Sequence, residues 1–83
     1  MTLIREQLAE ENPNALLITD MDDALVGYGG QYSKPVVAIY SGSRIVDILV
    51  SQGEKRVDAI EYFNFNIACA WVGENTPIII IDF

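Results

Sequence analysis

The chain has 83 residues, with twelve acidic side chains, five basic ones and no histidine, so its formal net charge is −7. A domain of this size buries only roughly 60–65% of the surface that its unfolded chain exposes, which leaves little room for a deep catalytic cleft beside a core. Nucleic-acid binding needs a concentrated basic face, whereas the five cations are spread from Arg5 to Arg56, so we expect no direct nucleic-acid binding.

An acidic surface is ordinary in soluble proteins, but it also suits docking on a basic partner or imitation of DNA. Hydrophobic residues make up 51% of the chain, which is enough for a core with apolar surface left over, so we expect a homo-oligomer.

Cys69 is the only cysteine, so the chain has no intramolecular disulfide, and without histidine it has no Cys–His catalytic pair. Because Cys69 lies in an apolar helical run, we expect a buried, inert thiol. The N-terminus lacks the apolar core of a signal peptide, and no apolar stretch approaches the roughly 20 residues of a membrane span. We therefore expect a cytoplasmic protein with no membrane association and no cofactor.

The first half of the chain predicts one helix and two short strands. Residues 2–11 carry Leu3, Ile4 and Leu8 at helical spacing, with Thr2 as the N-cap, and the helix stops at Asn12-Pro13-Asn14. A short strand over 16–18 then leads into the acidic turn 20–23. A second strand follows over 25–28, and the glycines at 27, 29 and 30 are expected in turns or bulges.

The second half predicts a strand, two helices and a closing strand. The continuous apolar run 36–40 is typical of a strand that is covered on both faces or central in its sheet. Ser41 or Ser43 caps a helix that ends before Gly53. The longest helix is expected over 55–71, and a strand over 78–81 follows Pro77.

This order of elements predicts an α+β fold. We expect one antiparallel or mixed sheet of about four strands, with the two later helices on one face and the N-terminal helix in addition. Residues 1–12 form that first helix, residues 15–83 form the sheet-and-helix core, and 1–83 is a single domain.

The second half of the long helix is apolar around most of its circumference, which predicts burial on more than one side, either as the central helix or at a subunit interface. Its aromatic side chains, Tyr62, Phe63, Phe65 and Trp71, are expected in the core, with a ligand pocket or binding surface as the alternative. Buried Asn64 and Asn66 would need hydrogen-bond partners.

The acidic turn resembles the start of a haloacid-dehalogenase-type phosphatase, in which Asp20 would be the nucleophile and Asp22 the acid/base beside Mg²⁺. The family pattern continues with Gly-Thr, whereas this chain has Asp23-Ala24, and the chain is too short to supply the later motifs. An EF-hand loop also fails to match, because Leu25 occupies the position of its glycine. An Asp-rich turn with incidental cation binding is the simpler interpretation.

Other polar residues are candidates for binding. Glu61, Asn64, Asn66 and Glu74 interrupt or follow the apolar helix, and they would form either a polar cluster beside an apolar patch or ordinary solvated side chains. For a nucleotide-type ligand, only Lys34, Arg44 and the two asparagines could meet phosphate. The candidate partner- or ligand-binding residues are Asp20, Asp22, Asp23, Arg44, Glu61, Asn64, Asn66, Trp71 and Glu74.

From Asp22 to its end the chain resembles a family of small uncharacterised bacteriophage proteins. The motifs that carry the resemblance are DALVG at 23–27, PVVAIY at 35–40, AIEYF at 59–63, Phe65-Asn66 and AWVGENTP at 70–77. Cys69 departs from the small residue, often glycine, of the family. The resemblance implies a viral origin, a compact α+β fold and the host-cell cytoplasm, and it implies no known activity.

These observations predict a non-enzymatic protein that binds a host factor during infection, in host takeover or counter-defence. The first alternative is a binding protein or sponge for a nucleotide-type small ligand. A metal-dependent phosphatase-like enzyme that uses Asp20, Asp22 and Glu61 is the second.

Overall fold

The structure is a computed structural model that describes residues 2–83. It is an α+β fold with three α-helices and a three-stranded sheet. In chain order the elements are α1 (Thr2–Glu11), a 3₁₀ turn (Asp22–Ala24), β1 (Leu25–Gly29), β2 (Val37–Ser41), α2 (Gly42–Ser51), α3 (Arg56–Phe63), a π-helical turn (Asn64–Ala68) and β3 (Ile78–Ile80).

The sheet is mixed, with the order β1-β2-β3. Strand β1 pairs antiparallel with β2, and β3 pairs parallel to β2 after the crossover through α2 and α3. The apolar run that forms β2 is therefore central, as predicted. The register shifts between Leu25 and Gly27, where Val26 has no partner on β2, whereas Gly27 and Gly29, which were expected in turns or bulges, are paired within β1.

The strand predicted over 16–18 does not form, so the sheet has three strands rather than about four. The reason lies in where the backbone donors of this segment point. The Ile18 N–H donates to the Tyr40 hydroxyl at 3.0 Å, and the Leu16 N–H donates to the Asn75 carbonyl at 3.3 Å. The segment is thus held by a side chain and a loop instead of a neighbouring strand.

The core lies between one face of the sheet and the helices. Its largest fully buried side chains are Tyr40, Phe63, Leu25, Ile45 and Val46. Helix α2 contributes its buried face, α3 contributes Ala59 and Phe63, and α1 contributes Leu8, and all of these join one cluster with Ala38 and Tyr40 of β2. Each large apolar side chain buried in this way stabilises the fold by about 1.5–3 kcal/mol.

The N-terminus of α2 is fastened to the end of the chain. Ser41 is the N-cap, and its Oγ accepts from the Arg44 N–H at 3.3 Å. The Ser41 hydroxyl donates to Asp82 Oδ2 at 2.6 Å, and the Ser43 N–H donates to Asp82 Oδ1 at 2.8 Å. The Ser41 hydroxyl, followed by the Ser43 N–H, lowers the pKa of the Asp82 carboxyl. The Asp82 side chain thus accepts a hydrogen bond from a backbone N–H in the first turn of α2 that the Ser41 cap leaves unpaired.

The third helix is shorter than predicted, and several expectations that depended on it are wrong. Regular α3 ends at Phe63 and the π-helical turn at Ala68, so Trp71 lies outside the helix. Only Phe63 of the four aromatic side chains is buried, while Tyr62, Phe65 and Trp71 are 51%, 76% and 72% exposed. Cys69 is exposed, although it was expected to be buried, and Asn64 and Asn66 are exposed as well.

The physical reason is that the helix has core on one side only. Ala59 and Phe63, one turn apart, are the two residues of α3 that are buried. The sequence predicted burial on more than one side, but the wider π-helical turn carries no buried residue. The apolar excess of this segment therefore lies on the surface. Over residues 2–83, no helix combines the length and hydropathy that a membrane span requires.

Candidate functional site

The exposed side of α3 carries an acidic and aromatic groove of about 270 Å³, which we call the α3 surface. Its lining residues are Glu54, Asp58, Glu61, Tyr62, Phe65 and Asn66. Positions 58, 61 and 62 follow helical spacing along one side of α3, Glu54 lies in the turn before the helix, and Phe65 lies in the π-helical turn after it. The groove thus combines three carboxylates with two exposed aromatic rings, and no cationic side chain of the described residues lines it.

This combination of groups favours a cationic ligand. Carboxylates raise the local concentration of positive charge, and an ammonium or guanidinium group over an exposed ring gains about 0.5–1 kcal/mol. Asn66 adds amide donors and an acceptor at the end of the groove, where its Nδ2 donates to the Tyr62 carbonyl at 3.3 Å. Since none of the acidic side chains here has a salt-bridge partner in the described part of the chain, all three stay available to a partner.

An apolar groove of about 310 Å³ adjoins the α3 surface, with Asn66 lining both. Its other lining residues are Leu16, Leu17, Ile18, Ile67, Ala70, Val72, Thr76, Pro77 and Ile79. The irregular 16–18 segment forms one wall, and the residues that follow the π-helical turn form the other. The α3 surface therefore continues into an apolar floor, which is the arrangement of a protein-binding site with a polar rim.

Trp71 and Glu74 lie on a different surface, beside the sheet. They line a groove of about 350 Å³ together with Lys34, Pro35 and Ile78. Trp71 is held there by the loop that follows the π-helical turn, in which the Thr76 hydroxyl donates to the Gly73 carbonyl at 2.7 Å and accepts from the Val72 N–H at 2.9 Å. The groove carries one cation and one anion, and the rest of its lining is mixed, with the polar residues Gln31 and Thr76 beside the apolar ones.

The acidic turn forms a third region. Asp20, Asp22 and Asp23 border an open groove of about 450 Å³ with Arg5. Arg5 Nη1 donates to Asp22 Oδ2 at 2.7 Å, so the guanidinium already balances one carboxylate. Asp20 has a positive φ of 62°, a turn conformation that aspartate tolerates. Across residues 2–83, no three His, Cys, Asp or Glu side chains are grouped so that they could hold a metal ion.

The predicted site residues are therefore distributed over several places. Glu61 and Asn66 share the α3 surface, Trp71 and Glu74 share the groove beside the sheet, and the three aspartates share the acidic turn. Arg44 lies exposed on α2, and Asn64 lies exposed at the start of the π-helical turn.

Sequence reasoning missed Glu54 and Asp58 on the α3 surface and Ile78 in the groove beside the sheet. The carboxylates were recognisable in the sequence, because acidic and aromatic residues recur every three or four positions from 54 to 65.

Comparison of the chain with protein-family models, with curated proteins and with solved structures gave no match. Its function is therefore inferred from the surfaces described above.

Proposed function

We propose that this protein is a non-enzymatic interaction protein that binds a basic segment of another protein on the α3 surface. The observation that carries the proposal is Phe65, which is largely exposed in a groove with Glu54, Asp58 and Glu61. An exposed aromatic ring is a typical anchor of a protein interface, and carboxylates around it select a partner of opposite charge.

The partner we propose is a host protein that is bound during infection, in host takeover or counter-defence. We base this part of the proposal on the resemblance of residues 22–83 to small bacteriophage proteins, and we propose that the interaction takes place in the cytoplasm of the infected cell. The net charge of −7 supports a basic partner, because the field of the whole chain adds to that of the groove.

The α3 surface would contribute to binding in two separable ways, through an aromatic anchor and through its carboxylates. Truncation of an anchoring aromatic residue costs about 2 kcal/mol or more, which mainly accelerates dissociation. Neutralising a carboxylate on the rim mainly slows association and reduces its dependence on salt. Phe65→Ala and Glu61→Gln are therefore expected to weaken binding in kinetically different ways.

The test uses the tagged full chain to capture proteins from a lysate of the bacterial host, followed by kinetics with the purified partner. We expect one stoichiometric basic partner, at least about 30-fold weaker binding for Phe65→Ala, and slower association for Glu61→Gln. Val57→Ala is the matched control, because Val57 is 67% exposed on α3 but does not line the groove. Unchanged binding by both groove variants, or no stoichiometric partner, would refute the proposal.

A further inference from the structure

The sheet has two apolar faces, and the helices occupy one of them. Ala38 and Tyr40 of β2 belong to the core cluster, and Ile79 of β3 packs against it. Side chains alternate along a strand, so the residues between these positions point to the opposite face. We call that second side the open sheet face, and its residues are Gly27 and Gly29 of β1, Val37 and Ile39 of β2, and Ile78 and Ile80 of β3.

This face is uncovered around β3 and Gly27, whereas Val37 at the start of β2 is only 4% exposed. Ile78 and Ile80 are 41% and 42% exposed. Neither they nor Ile39 are among the described residues that form the core cluster or pack against it. A Cβ built on Gly27 would meet nothing within 4 Å. Trp71, which lines the same groove as Ile78, extends the apolar surface beyond the strands.

The face is self-complementary in shape. Pairing places Gly27, Ile39 and Ile78 in one row across the sheet, so β1 presents glycine where β3 presents isoleucine. A two-fold axis that runs along the strands between two stacked sheets would set β3 of one copy over β1 of the other. Ile78 of one copy would then fill the space above Gly27 of the other, at the usual sheet separation of about 10 Å.

The charges also favour a second copy over the basic partner proposed for α3. None of the strand residues on the open sheet face is charged, whereas the α3 surface of one copy would repel the α3 surface of another. At the rim, Lys34 and Glu74 provide one charge of each sign. Both signs on one surface allow each copy to offer the other an opposite charge across a two-fold axis.

The area is appropriate for a dimer of ordinary size. Trp71 is 72% exposed and Ile78 and Ile80 are 41% and 42% exposed, so together they present a patch on the order of a few hundred Å², a size that often marks an interaction site. A standard interface buries about 800 Å² per partner, of which about 57%, or roughly 450 Å², is apolar. We infer that the open sheet face binds a second copy of this chain, forming a two-fold symmetric dimer of stacked sheets.

The test is sedimentation velocity of the purified full chain from micromolar to millimolar concentration, on the wild type and three variants. Gly27→Lys places a cation at the centre of the interface without a clash, because the site is open and the residue has no positive φ. We expect the wild type to be a dimer and Gly27→Lys to raise the dissociation constant by about 100-fold or more, since burying an unpaired charge is strongly unfavourable.

Val57→Lys is the matched control, because it makes the same change in net charge on α3, and it should leave the dimer intact. Phe65→Ala should also leave it intact, which separates this inference from the proposed function. Circular dichroism and thermal melting confirm that the lysine variants fold. A wild type that is monomeric at millimolar concentration, a folded Gly27→Lys variant that still dimerises, or a Phe65→Ala variant that dissociates would each overturn the inference.

Discussion

The first turn of α2 is closely packed against β3 and the C-terminus, and Gly42→Ala tests how tightly. Gly42 is buried and helical, without a positive φ, so alanine suits its backbone conformation. A Cβ at this position would lie 2.6 Å from the Ile80 carbonyl oxygen and 3.0 Å from ring atoms of both Phe63 and Phe83. The substitution therefore improves the helix propensity of this position but introduces a steric clash with β3 and two aromatic rings.

The two effects have comparable sizes and opposite signs. In an exposed helix, replacing glycine by alanine stabilises by about 0.5–1 kcal/mol. Here the Cβ meets a backbone oxygen of the strand paired with β2, which cannot move without disturbing that pairing. Overpacking of this kind costs about 1–3 kcal/mol, and Phe63 and Phe83, whose rings are 5.5 Å apart, leave no space for relief. We expect a net loss of about 1–2 kcal/mol.

The assay is urea unfolding at equilibrium, monitored by tryptophan fluorescence and circular dichroism at one protein concentration. Gly27→Ala is the comparison at an uncrowded glycine, measured at a protein concentration low enough for the chain to be monomeric, because its new Cβ would have no neighbour within 4 Å in a single copy. The expected result is a lower free energy of unfolding for Gly42→Ala at an unchanged slope against urea, with Gly27→Ala about 0.5–1 kcal/mol more stable than the wild type because alanine replaces a strand glycine without a clash. A stabilised Gly42→Ala variant would mean that helix propensity outweighs the packing, and it would refute the reasoning.

Two further predictions concern side chains that connect distant parts of the chain. Hydrogen bonds from Ser41 and Ser43 lower the pKa of Asp82, so its contribution to stability is present above the unfolded value of about 4 and is lost as the pH falls through the lowered pKa. In thermal melts, Asp82→Asn should lower the Tm at neutral pH, and its difference from the wild type should shrink in acid. A constant difference would contradict this account. Tyr40→Phe leaves the Ile18 N–H without its partner and should cost about 1–3 kcal/mol in urea unfolding. Burial raises the Tyr40 pKa, so the contribution of this tyrosine to stability is complete below the unfolded value of about 10 and is lost as the pH rises through the raised pKa. Only the wild type should show this loss of stability, and an equal alkaline loss in both proteins would contradict the prediction.

The elements that the sequence predicted well are those with local signals. Helix α1 spans the predicted residues, because its apolar spacing and the Asn-Pro-Asn stop act within a few positions. Helix α2 begins after the Ser41 cap and ends before Gly53, which adopts a φ of 105°. The β-branched run that forms β2 was expected in the centre of a sheet and lies there. Caps, breakers and periodicity depend on neighbouring residues, and the sequence alone is enough to find them.

The exposure of the aromatic residues could not be predicted in this way. Tyr62 and Phe65 have helical spacing that suits a core, and they are exposed because the described chain packs nothing over that side of α3. The acidic groove was detectable as a pattern of charges, but its aromatic members were assigned to the core. Whether an apolar side chain becomes core or surface depends on what is packed above it, and periodicity does not encode that.

The sheet shows the same division between local and tertiary information most clearly. The sequence by itself determined that residues 36–40 and 78–81 are continuous apolar runs, which predicted a strand for each and, for 36–40, cover on both faces or a central position. Only the tertiary structure decided that the described helices bury their residues in the cluster against Ala38 and Tyr40, while Ile39, Ile78 and Ile80 lie outside it. The physical reason is that a strand's pattern records which faces are apolar, whereas their burial depends on how many layers the rest of the chain can supply.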